Sequence, residues 1–119
     1  MFTASNNKGF SMIFDNGFEI SVQWGTVNYC SRKGDGEWNE SMNEKKLIGN
    51  RWKSSSAEIA IFDTNKSDED VLDNQDMIEF ANDTVKGWVS TDFVAEIMFK
   101  VSAANSFEEL QQQITNEKW

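Results

Sequence analysis

Apolar and polar residues alternate with a period of two across the first quarter of the chain. In GFSMIFDNGFEISVQWG, Phe18, Ile20, Val22 and Trp24 alternate with Glu19, Ser21 and Gln23, the pattern of a strand with one buried and one wet face. Phe10, Met12 and Phe14 repeat it upstream. A two-residue turn at Asn16-Gly17 would set Phe14 opposite Glu19 and mix core with solvent residues on one face. A three-residue loop, Asp15-Asn16-Gly17, instead pairs Phe14 with Phe18, Met12 with Ile20 and Phe10 with Val22, and Gly17 supplies the left-handed residue of a bulged turn.

Phe2 to Ala4 reads as a short strand before this hairpin. SAEIAIFD, Ser56 to Asp63, reads as a central strand: Ala57, Ile59 and Ile61 face one way, and Glu58, Ala60 and Phe62 the other. Met77 to Phe80 is the next expected strand.

From Ser90 the period lengthens. Ser90 or Thr91 caps a helix in which Phe93, Ile97 and Val101 recur at four-residue steps beside Val94 and Met98. Its polar stripe holds only Asp92, Glu96 and Lys100, which predicts deep burial and a Glu96–Lys100 pair. A second helix opens at Ser106, with Glu109 at capping-box spacing and Phe107, Leu110 and Ile114 on its apolar side. These elements predict one α+β domain over residues 1–119. Its antiparallel sheet has four to five strands, with one long C-terminal helix packed on one face and a second, short terminal helix alongside.

Composition narrows the chemistry. The 119 residues contain no histidine, the commonest general base and the commonest zinc ligand, and no carboxylate pair stands out among twenty acids. A non-catalytic protein without metal or cofactor is expected. The single Cys30 permits no internal disulfide and suits a reducing cytoplasm. The opening MFTASNNKGF lacks the basic start and apolar run of a signal peptide, and no window has the length of a membrane span. A net charge of −9 disfavours nucleic acid and anionic lipid and favours a partner protein with a basic surface.

Two segments carry the charge contrast. DTNKSDEDVLDNQD, Asp63 to Asp76, has six carboxylates and one lysine. An EF-hand loop beginning at Asp63 needs glycine where Asp68 stands and glutamate where Asn74 stands, so a metal loop of that kind is disfavoured. The stretch is either a solvated connection or a contact surface for a cationic partner, with Asp68, Glu69, Asp70 and Asp73 as the contact charges.

Residues 31 to 55 read as a long loop of the opposite sign, holding six of the eleven bases. Tyr29, Arg32, Lys33, Arg51, Trp52 and Lys53 combine cations with aromatic faces, as a pocket for a small anionic ligand such as a signalling nucleotide requires. No P-loop or dinucleotide spacing accompanies them.

The segments NKGFSMIFDNGFEISVQWGTVNYC, SAEIAIFD and VKGWVSTDFVAEIM resemble small uncharacterised proteins encoded by tailed bacteriophages, in which a similar N-terminal hairpin and a lysine-glycine-aromatic step before a helix recur. The match covers about half the chain. It implies a phage accessory protein of the host bacterial cytoplasm that binds and inhibits a host factor, such as a component of a defence system. Sequestration of a small anionic ligand is the alternative. A further one is a minor virion or assembly component, in which the apolar helix meets another copy of the chain.

Overall fold

A computed structural model describes residues 1–5, 8–39, 44–46, 52–65 and 76–119. Five strands form one antiparallel sheet: β1 (Phe2–Ala4), β2 (Gly9–Ile13), β3 (Phe18–Gln23), β6 (Ser56–Asp63) and β7 (Lys86–Ser90), in the spatial order β1-β2-β3-β6-β7. Between β3 and β6 lie β4 (Glu37–Asn39) and β5 (Glu44–Lys46), which pair as a separate two-stranded ribbon inside the segment expected to be a loop. Two helices follow the sheet, α1 (Thr91–Ala103) and α2 (Phe107–Thr115).

The first hairpin has the expected register. Phe10 pairs with Val22 and Met12 with Ile20. The N–H of Phe14 donates to the Phe18 carbonyl at 2.9 Å, and Gly17 turns at φ +86°. No side chain other than glycine fits easily there, because an added Cβ would lie 2.1 Å from Oδ1 of Asn65. The loop also locks the helix to the sheet. Nδ2 of Asn16 donates to the carbonyls of Val101 at 2.7 Å and Ala104 at 3.0 Å, while its Oδ1 accepts from the N–H of Phe18 at 3.1 Å. One amide thereby satisfies carbonyls that the end of α1 leaves without helical partners.

On β6, Ile61 faces Ile20 and Ile59 faces Val22, so the apolar row of the hairpin continues across the sheet. Val94, Ile97 and Val101 of α1 cover this row, and Leu110 and Ile114 of α2 complete the core. Ile20, Ile59, Ile61, Ile97, Leu110 and Ile114 are fully buried. Truncating any of these side chains to alanine should cost about 2–5 kcal/mol. Both caps form: Ser90 Oγ accepts from the N–H of Phe93, and Ser106 Oγ from that of Glu109.

Three expectations require correction. Residues 77–80 make only isolated bridges, Phe62 with Met77 and Phe80 with Asp83, although Ile78 and Phe80 do enter the core. The last strand of the sheet is β7, whose KGWVS has no clear alternation because its register is broken. Nor is α1 deeply buried. With a single sheet beneath it, one side stays open, and Phe99 is 73% exposed. Lys100 forms its ion pair with Glu117 of the C-terminal segment. Among the described residues, no helix is long and apolar enough to cross a membrane.

Candidate functional site

The segment after β3 folds back along the far edge of the sheet. Gly25 N–H donates to Oδ1 of Asn28 at 2.8 Å, closing a turn that aims Asn28 and Tyr29 at β6. There the Glu58 carboxylate accepts from Nδ2 of Asn28 at 3.3 Å and from the N–H of Tyr29 at 3.0 Å. The N–H of Ser31 donates to Oγ of Ser56 at 2.9 Å. Glu58, on the sheet face away from α1, therefore anchors a loop rather than leaving its charge to solvent.

That loop meets β7 at a break in its ladder. Ala57 pairs with Val89 but Ile59 pairs with Lys86, so Gly87 and Trp88 together stand opposite Glu58. Such an extra residue bends a strand and re-aims its side chains. Trp88 adopts φ +52°, a left-handed conformation that bulky residues rarely take. Its N–H donates to the Tyr29 carbonyl at 2.8 Å. Gly87 makes this approach possible, since a Cβ there would lie 2.6 Å from the Tyr29 Cβ and 2.9 Å from its oxygen.

The outcome is an aromatic ridge. The Tyr29 and Trp88 rings lie 5.7 Å apart at 33°, with Tyr29 43% and Trp88 61% exposed. Nζ of Lys33 sits 4.9 Å from the Tyr29 ring centre. Holding an indole in left-handed backbone costs on the order of 1–3 kcal/mol, a strain that tends to persist at ligand clamps and recognition surfaces.

The basic and aromatic residues of the middle segment divide into two groups. Arg32 lies over the Trp52 ring, its guanidinium carbon 4.0 Å from the ring centre. It donates from Nε to Asp35 at 2.9 Å and from Nη1 to the Lys53 carbonyl at 2.8 Å. Trp52 and Trp24 exchange indole N–H bonds to each other's carbonyls, at 2.9 and 3.2 Å. Arg32, Trp52 and Lys53 thus form an internal clasp that ties the segment before β6 to the end of β3. Tyr29 and Lys33 instead belong to the ridge. Arg51 lies outside the described residues, as do Asp68, Glu69, Asp70 and Asp73. The beginning of the acidic stretch is anchored: Asp63 is buried and accepts from the N–H and Nδ2 of Asn65, both at 3.0 Å. Among the described residues, no group of three or more acidic, cysteine or histidine side chains is placed to hold a metal ion.

Two clefts flank these features. One, of about 350 Å³, opens between α1 and the sheet and is lined by Phe10, Val22, Trp24, Val89, Val94 and Met98. Two of the hydroxyls at its margin are engaged internally: Ser54 Oγ donates to the Ser56 carbonyl at 2.6 Å, and Ser56 Oγ accepts from the N–H of Ser31. The other, of about 230 Å³, lies beyond the ridge between Trp88 and Trp119, with Lys86, Phe93 and Lys118 in its wall. Trp119 is fixed by edge contacts with Phe93 at 4.9 Å and Phe80 at 5.3 Å and by an indole N–H bond to the Ile114 carbonyl at 3.1 Å.

Sequence reasoning missed Trp88 and Trp119 as surface residues because an indole most often serves packing. The one available signal was Lys86-Gly87-Trp88, a glycine directly before an aromatic just upstream of a helix cap. No family model, curated protein or solved structure matches the chain.

Proposed function

We propose that this chain is a non-catalytic binding protein that engages and inhibits another protein, with Tyr29 and Trp88 as the aromatic anchors of the contact. The observation that carries this reading is Trp88 itself: an exposed indole on a strand bulge, held in left-handed backbone and braced by Tyr29. Tryptophan and tyrosine are the residues most enriched among energetic hot spots of interfaces, and a pre-braced pair loses little freedom on binding. The absence of histidine from the sequence argues in the same direction.

Net charge −9 steers the chain toward a cationic surface, and Asp68, Glu69, Asp70 and Asp73 contribute to that steering. In the setting that the phage resemblance implies, the partner is a host factor in the bacterial cytoplasm. Affinity capture from such a host tests the reading. The wild-type chain retains a specific protein that the Tyr29→Ala/Trp88→Asn double variant does not, and equal retention by both would refute the ridge as the contact.

A further inference from the structure

Two lysines line the cleft between Trp88 and Trp119. Its lining residues include Lys86 and Lys118 and no aspartate or glutamate, on a chain of net charge −9. Glu117, the nearest acid in sequence to Lys118, is paired with Lys100. Nζ of Lys86 lies 5.8 Å from the Trp119 ring centre, which sets a cation beside an indole at the edge of the cleft. The aromatic walls are Trp88, Phe93 and Trp119, and the last is held by the two ring contacts and the Ile114 hydrogen bond described above.

From this arrangement we infer that the cleft binds a planar aromatic group carrying one phosphate. The ring packs against the indoles, and the phosphate is held by the two ammonium groups acting as point charges. At about 230 Å³ the space is smaller than the roughly 300–1,000 Å³ usual for drug-sized ligands, so it takes one ring system and its anion rather than a dinucleotide. The site shares Trp88 with the ridge but needs neither the acidic stretch nor a protein partner, and it stands or falls separately from the protein-binding reading.

The test is titration of the full chain with phenyl phosphate, phenol and inorganic phosphate, followed through the indole N–H signals in nuclear magnetic resonance spectra. Phenyl phosphate should bind saturably with Kd below about 1 mM, at least about tenfold tighter than phenol or phosphate alone. It should shift the Trp119 and Trp88 signals while leaving that of Trp24 in place. Replacing both lysines, Lys86→Gln with Lys118→Gln, should weaken binding by at least about fivefold at low salt. Lys118 is exposed and Lys86 half-buried, so Lys118→Gln alone, at the exposed position, tests the charge without disturbing packing.

A peptide carrying phosphotyrosine distinguishes the sources of such a group. Tighter binding of the peptide than of phenyl phosphate assigns the ligand to a modified protein, and equal or weaker binding assigns it to a free small molecule; both support the chemistry of the site. No saturation by about 10 mM phenyl phosphate, or undiminished binding by the double lysine variant, would overturn the proposal.

Discussion

The main-chain N–H of Trp88 donates to the carbonyl of Tyr29 at 2.8 Å, joining a strand bulge to a loop from 59 positions earlier in the chain. This bond sets two aromatic rings side by side at the surface. It exists only because residue 87 has no side chain. Replacing Gly87 with alanine would press a methyl group against the Tyr29 Cβ at 2.6 Å. The expected cost is about 2 kcal/mol, read as a lower midpoint in urea unfolding, with loss of the near-ultraviolet dichroism of the ring pair.

Asn16 is the second long-range fastener. Asn16→Ala removes the donors to the Val101 and Ala104 carbonyls and should destabilise the fold by about 1–2 kcal/mol. Asn16→Asp should cost more than alanine at neutral pH, because it sets a carboxylate against carbonyls at the negative end of a helix. Thermal unfolding of the three chains gives the order directly.

Arg32 acts on stability. Its planar group stacks on Trp52 while bonding Asp35 and the Lys53 carbonyl, a geometry that an ammonium group does not reproduce. Arg32→Lys should therefore cost about 1 kcal/mol in unfolding measurements and change the fluorescence of Trp52, despite conserving charge.

Much of this architecture was legible in the sequence, because hydrophobic period is a local signal. The alternation through Phe18, Ile20, Val22 and Trp24, together with the demand that Phe14 share their face, was enough to specify the three-residue loop and the register. The caps at Ser90 and Ser106 were equally local. What escaped depended on contacts distant in sequence. KGWVS lacks alternation because its bulge is stabilised by Tyr29 and Glu58, neither of which its own pattern can reveal. Asn16 reads as an ordinary turn residue until the end of α1 is beside it. Arg32 and Trp52 read as a ligand pair, since a cation over an indole has the same composition whether it binds a guest or closes a clasp.

The acidic residues should influence association more than residence. Replacing Asp68, Glu69, Asp70 and Asp73 together with Asn or Gln should slow association with the captured partner and flatten its dependence on salt, with dissociation little changed. Surface plasmon resonance at two ionic strengths separates the two rates, and unchanged association at low salt would remove these four residues from the contact.

The central claim is that the strain at Trp88 serves recognition and contributes little to folding. Trp88→Asn tests it most directly, since asparagine accepts left-handed backbone and presents no indole. Stability and affinity for the captured partner are to be measured on the same preparation. The expected result is unfolding free energy within about 1 kcal/mol of wild type, with affinity reduced by about thirtyfold or more. A variant that binds as wild type does, or that loses more than about 2 kcal/mol of stability, would contradict it.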